Sequence, residues 1–309
     1  MSFSNSSSPV IFGCSGPSLT KEERIFFKNT QPLGFILFKR NIQDKPQLKG
    51  LIDELKSTLH HENPPILIDQ EGGRVARLRE PFWSPPPSSA DLAIGTLEES
   101  KKRVYTAYTH IAQDLREVGI TVNCAPVLDL RIPGADPIMG DRTFSADPYV
   151  VAEWGSIAIQ ALQEQGIIPV MKHIPGHGAA TCDSHHALPV ISLSHQELRA
   201  HFLPFKLNAN CPWAMTAHIV YSAIDPYHPA TQSSLVIEEV IRGEIGFRGF
   251  LISDDLGMKA LTGSFAMRAY SSLQAGCDAV LHCSGQIDEM REVMEGLTSF
   301  SFQVHKKAL

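Results

Sequence analysis

Short apolar runs alternate along the chain with longer segments whose apolar positions recur at helical spacing. The runs Val10–Phe12, Gly34–Phe38, Pro65–Asp69, Thr121–Cys124, Ile168–Lys172, Ala214–Ala217, Phe250–Ser253 and Ala279–His282 predict eight strands. Several are apolar throughout, as expected where both faces of a strand are covered. Between them, Lys21–Lys28, Pro46–His60, Leu97–Val118, Pro148–Gln165, His195–Asn208, Ser233–Ile245, Met258–Ala275 and Gln286–Leu297 predict helices. Pro46 and Pro148 open two of these, where proline's missing N–H is harmless. Gly119, Gly166, Gly246 and Gly276 follow four others, at the place where a left-handed cap is wanted. Eight strand–helix alternations predict an α/β fold, a (β/α)8 barrel in a single domain. An open doubly wound sheet is the alternative, but no GxGxxG follows the first strand. Residues 1–8, rich in serine, are expected to be a disordered tail, with the barrel spanning 9–309, and Pro81–Pro87 a rigid loop.

Composition narrows the function classes. The chain has 309 residues, 43% hydrophobic and 19% charged, which suits a large buried core. Its net charge of -6 argues against nucleic acid or an anionic membrane as partner. The N-terminus lacks a basic segment followed by an apolar one, and no run is long enough to cross a bilayer. With six cysteines and no CxxC pair, reduced thiols and a cytoplasmic location are the expectation.

The polar residues at strand ends carry the chemistry. Asp69 ends the third strand, Lys172 and His173 the fifth, and Asp254 and Asp255 the seventh, while His218 follows the sixth. All fall at the C-terminal mouth, where barrel enzymes place their sites. In GFLISDDL an apolar strand runs into two acids; such a carboxylate can attack a sugar carbon, or it can cap the next helix, the reading open to Asp255 above all. From Lys172 through His186 the chain carries four histidines. Asp183 and His185 stand two apart, so the carboxylate can orient the imidazole as a proton donor and acceptor. Zinc binding by these histidines, or a solvated loop without a role, competes with that reading, and Cys182 is expected to be a bystander. In IDQEGGRVARL, Gly72 and Gly73 permit a tight turn and close ligand approach. There Asp69 can accept from vicinal hydroxyls and Arg77 can donate to them. Arg142, in the GDRTFSADP loop, gains meaning only from its company.

Three of these stretches, IDQEGGRVARL, KHIPGHG with its following DSH, and GFRGFLISDDLG, together resemble glycoside hydrolase family 3. The likeness spans roughly residues 9–285, and Val240–Glu244 leading to Ser253-Asp254 is similar to the family's active-site signature. Asp183-Ser184-His185 resembles the β-N-acetylglucosaminidase branch, in which histidine replaces a glutamate supplied elsewhere by another domain. The resemblance implies Asp254 as nucleophile, His185 as acid/base with Asp183 as its partner, and Asp255 as structural. It implies that Asp69, Arg77, Arg142, Lys172 and His173 hold an N-acetylglucosamine ring, with Met215 and His218 lining the pocket. It further implies a retaining exo-hydrolase without cofactor or metal. The substrate would be a peptidoglycan fragment, N-acetylglucosamine joined to anhydro-N-acetylmuramic acid peptides, and the protein a monomer that binds neither nucleic acid nor membrane. Ile174 replaces the family's usual phenylalanine, a change of local packing only. The chain's end soon after the eighth helix leads to the expectation that no second domain supplies the acid, and the glycines beside His177 to that of a mobile loop. A phosphorylase on the same scaffold, a zinc hydrolase using His173, His177 and His185, and a non-catalytic sugar-binding module are the alternatives.

Overall fold

The structure is a computed structural model that describes residues 7–134 and 136–307, with side chains through Phe300. Its strands are β1 (Ser8–Gly13), β2 (Pro32–Leu37), β3 (Ile66–Ile68), β4 (Val122–Asn123), β5 (Ile168–Ile174), β6 (Val190–Ile191), β7 (Trp213–Thr216), β8 (Val220–Tyr221), β9 (Phe250–Asp255) and β10 (Ala279–His282). All but β6 and β8 close into a parallel barrel in the order β1-β10-β9-β7-β5-β4-β3-β2. β6 and β8 form a two-stranded parallel sheet of their own. The α-helices are α1 (Lys21–Thr30), α2 (Lys45–Lys56), α3 (Ser89–Leu92), α4 (Leu97–Val118), α5 (Pro148–Glu164), α6 (His195–Leu207), α7 (Phe265–Ala275) and α8 (Ile287–Lys307). The eight predicted strands are the eight barrel strands, and the fold is a (β/α)8 barrel.

Side-chain alternation builds two apolar layers from each strand. In β1, Ile11 points into the barrel with Leu67, Val122, Val170, Met215, Ile252 and Leu281. Its neighbours Val10 and Phe12 face outward into the shell beneath the helices, with Phe27, Leu48 and Leu115. The barrel interior is therefore a packed core, and open space is left only at its ends.

Local chemistry explains the helix boundaries. Thr20, Thr96 and Ser194 close capping boxes with Glu23, Glu99 and Glu197. Gly119 and Gly276 adopt the left-handed conformation at the ends of α4 and α7, as their positions predict.

Three expectations change. Ser8, assigned to the tail, opens β1, and its hydroxyl donates to Thr30 O at 2.6 Å; residues 1–6 of that tail lie outside the described residues. The segment expected to be helical over Ser233–Ile245 is a π-helix over Val236–Glu244. Its widened turns show in the Ile245 N–H donating to Val240 O. The helix expected from Met258 starts only at Phe265, capped by Ser264. The preceding segment is tied down instead by Arg268, which donates to Leu256 O at 2.7 Å.

Candidate active site

The C-terminal mouth of the barrel holds a cleft of about 260 Å³. Asp69, Arg77, Arg142, Lys172, His173, His185, Met215 and Asp254 all line it. They come from the ends of β3, β5, β7 and β9 and from the loops that follow β3, β4 and β5.

One wall is an ion-pair network. The Lys172 ammonium stands 2.8 Å from Asp69 Oδ1 and 2.7 Å from Glu71 Oε1. Arg142 donates from Nε and Nη2 to the two oxygens of Glu71, both at 2.8 Å. Arg77 donates to Asp69 Oδ2 at 3.2 Å. Burial works to raise both carboxyls, but Lys172 with Arg77 holds Asp69, and Arg142 with Lys172 holds Glu71, well below the usual carboxylate range. The same carboxylates more than offset the burial of Lys172 and Arg142 and keep both cations charged. The wall thus offers fixed charges of both signs to a polyhydroxylated ligand.

Asp129 organises the second wall. Its buried carboxylate accepts from His173 Nδ1 at 2.7 Å, from His173 N at 3.1 Å and from His177 N at 2.5 Å. With Nδ1 committed to Asp129, Nε2 is the His173 nitrogen that can serve the cleft. Glu71 and Asp129 were not assigned from sequence. A signal for each is nonetheless there: Glu71 lies two residues beyond Asp69, and Asp129 is a lone acid in the apolar run Val127–Leu130.

Asp254 and Asp255 divide in role. Burial acts to raise the Asp254 carboxyl, but His173 and the Asp255 N–H, which donates to it at 2.8 Å, outweigh that effect and hold it below the ordinary carboxylate range, so it is ionised. Asp255 does not cap a helix, contrary to the sequence alternative. Its Oδ1 accepts from Gly257 N at 2.9 Å and from Cys283 N at 3.0 Å, tying β9 to the end of β10. His218 does not line the cleft as expected; it is fully buried, with Nδ1 2.7 Å from Thr231 Oγ1 and Nε2 3.0 Å from Asp255 O. Burial lowers its pKa, so the neutral ring accepts from Thr231 and donates to the carbonyl. It acts from behind, fixing the backbone that carries Asp254.

Asp183 and His185 form the pair the sequence suggests. Asp183 Oδ1 lies 2.7 Å from His185 Nδ1 and accepts from His185 N at 2.9 Å. These donors outweigh partial burial and keep Asp183 ionised. His185 reaches the cleft, with its side chain 58% exposed. Among the described residues, no group of three or more His, Cys, Asp or Glu is placed to share a metal ion. His173 and His177 are turned instead to Asp129 and Ser184.

The glycines serve packing more than ligand approach. A Cβ on Gly72, whose φ is +105°, would stand 2.5 Å from Pro87 O, so the glycine turn is pressed against the Pro-rich loop. A Cβ on Gly178, expected to lend the loop mobility, would stand 2.1 Å from Leu130 O.

Sequence and structure comparisons identify the family. Residues 13–307 match the glycosyl hydrolase family 3 N terminal domain. A beta-hexosaminidase from Alkalilimnicola ehrlichii is 38% identical over 288 residues, covering 89% of this chain and 80% of that relative. Another from Stenotrophomonas maltophilia is 34% identical, covering 93% and 87%. NagZ from Neisseria gonorrhoeae, solved with N-trifluoroacetyl-D-glucosamine, superposes with a TM-score of 0.86 at 33% identity, covering 94% of this chain and 85% of its own. A family 3 β-N-acetylglucosaminidase from Paenibacillus sp. gives a TM-score of 0.86 at 31% identity; the chain spans 56% of that larger protein. The match over nearly the whole length, with charged residues converging at the strand ends, shows that the chain belongs to glycoside hydrolase family 3.

Proposed function

We propose that the protein is a retaining exo-β-N-acetylglucosaminidase that works through a covalent glycosyl-enzyme on Asp254. The observation that carries this reading is the meeting, in one cleft, of an ionised strand-end carboxylate and an imidazole oriented by its own carboxylate.

Asp254 attacks the anomeric carbon as protonated His185 gives its proton to the departing glycosidic oxygen. An unprotonated sugar alkoxide is a poor leaving group, so this proton transfer carries much of the first step. Neutral His185 then takes a proton from water, and the resulting hydroxide attacks the anomeric carbon and releases Asp254. Asp183 orients the ring for both transfers. Asp69, Arg77, Arg142, Lys172 and His173 hold the sugar hydroxyls and the acetamido group, with Met215 as an apolar floor.

The beta-hexosaminidase relatives and the relative bound to N-trifluoroacetyl-D-glucosamine support an N-acetylhexosamine as the sugar. For the aglycone we propose anhydro-N-acetylmuramic acid peptides, on the resemblance of the DSH triplet to its branch. A monomer in the cytoplasm fits such fragments, and among the described residues no helix is long and apolar enough to cross a membrane.

The test is product analysis by NMR and mass spectrometry, on muropeptides and chitobiose, with and without phosphate. Release of β-N-acetylglucosamine as the first product is expected. Inversion overturns the mechanism; a sugar phosphate assigns a phosphorylase instead; no turnover of any N-acetylglucosaminide overturns the activity.

A further inference from the structure

Ser184 stands between the two members of the proposed acid/base pair and, unlike them, is buried. His185 is exposed and Asp183 half-buried, whereas Ser184, at the inner side of the cleft, is 3% exposed. Its Oγ lies 3.2 Å from His177 Nε2, and its carbonyl accepts from Ala260 N at 3.2 Å. A turn closes around it, with His186 N donating to Asp183 O at 2.9 Å.

His177 is itself immobilised from several sides. Its N–H donates to Asp129, and its ring meets His173 edge to face at 5.5 Å between centroids. Tyr221 Oη donates to Gly176 O at 2.8 Å, immediately before it. Burial pushes the His177 pKa down to about 4, so the ring is neutral and has one N–H to give. Its Nδ1 is buried without a partner, and a buried lone pair is less costly than a buried orphan N–H. The proton therefore sits on Nε2 and is donated to Ser184.

We infer that the His177–Ser184 hydrogen bond is a latch that positions the acid/base: it seats the loop so that Asp183 and His185 present the imidazole to the leaving-group oxygen. His177 and Ser184 are positioning residues that act through His185, so the inference rests on the reading of His185 given above. A latch of this kind matters only for the step that needs a proton. It contributes nothing to a leaving group that departs unaided.

The experiment compares kcat/KM on aryl β-N-acetylglucosaminides from 2,4-dinitrophenyl to phenyl. The enzymes are wild type, Ser184→Ala, His177→Phe, His177→Gln and, alongside, His185→Ala. The ratio of rates on two substrates does not depend on how much of a variant is folded, so partial unfolding does not obscure the outcome. Ser184→Ala and His177→Phe should lose about tenfold or more on the phenyl glycoside, and less than about threefold on the dinitrophenyl one, within the range for general acid catalysis. His177→Gln, which places an amide N–H near the Nε2 position, should recover most of the phenyl activity. A uniform loss on all substrates, or Gln no better than Phe, overturns the latch while a steep profile for His185→Ala leaves the acid/base reading intact. If the His185→Ala profile is itself flat, the acid/base reading fails and the latch with it.

Discussion

Replacing Glu71 by glutamine changes one buried charge and almost no volume. Three donors converge on this carboxylate: Arg142 Nε and Nη2, each at 2.8 Å, and the Lys172 ammonium at 2.7 Å. An amide offers them one acceptor oxygen and turns an N–H₂ group toward a cation. The fall of the Glu71 carboxyl from 4.5 to about 2, against the opposing effect of its burial, corresponds to about 3 kcal/mol in favour of the ionised form. That is in line with the roughly 3–5 kcal/mol lost when one partner of a buried ion pair is removed. With an unfolding entropy of about 2.1 cal/mol/K per residue, it lowers Tm by about 5 °C at pH 7. The sign of the pH dependence follows from the depressed pKa. The carboxylate's contribution is fully present above about 4.5, and it is lost as the pH falls from there through about 2. The gap in stability between wild type and Glu71→Gln should therefore be widest at pH 6–7 and narrow below about pH 4. Urea unfolding of both proteins across that range measures it, with N-acetylglucosamine inhibition alongside, because released Arg142 and Lys172 should bind the sugar less well. A gap that does not change with pH, or equal stability at pH 7, refutes the reasoning.

Asp254→Ala should abolish turnover with Tm within a few degrees of wild type, and a 5-fluoro glycoside, losing its leaving group, should add the mass of its 5-fluoro glycosyl group to the wild-type peptide that contains Ser253 and Asp254; an adduct elsewhere would reassign the nucleophile. Asp255→Ala frees the Gly257 and Cys283 N–H groups and should cost about 1–3 kcal/mol in thermal or urea unfolding while some activity remains; an inactive Asp255→Ala beside an active Asp254→Ala would reverse the two assignments. His185→Ala should lose about 10²-fold or more on poor leaving groups and regain turnover of activated ones with azide, whereas Asp183→Ala should show a milder loss and a displaced pH–rate profile. Full activity of His185→Ala on the poorest leaving group would exclude it as the acid.

The barrel was legible because its signals are local. Apolar runs, capping boxes and glycine caps each act within a few residues, so all eight barrel strands and most helices lie where the pattern places them. The pattern failed where a distant contact decides the backbone. The connection after Asp255 has a helix-like sequence, yet it is held in a series of turns by Arg268 and by the Asp255 carboxylate folding back on Gly257. Likewise the spacing over Ser233–Ile245 reads as an ordinary helix, because apolar periodicity does not distinguish an α-turn from the wider π-turn found there.

For the site, the sequence alone determined which residues stand at strand ends, and the barrel topology then placed them at one mouth. Asp69, Lys172, His173 and Asp254 needed nothing more. Which of them pair, and which support others, was decided only by closure of the barrel. Lys172 meets Asp69 across 103 positions of sequence, Arg142 meets Glu71 across 71, and His173 meets Asp129 across 44. No periodicity or spacing rule reaches that far. Directionality was equally hidden: adjacent Asp254 and Asp255 both follow an apolar strand, but the side chain of Asp255 turns to the β10 backbone. His218 reads as a pocket residue at its strand end, and only the packing of Thr231 and the Asp255 carbonyl around its ring withdraws it from the cleft. Short-range physics sets the elements and their ends, whereas charge pairing and burial depend on neighbours that the closed barrel supplies.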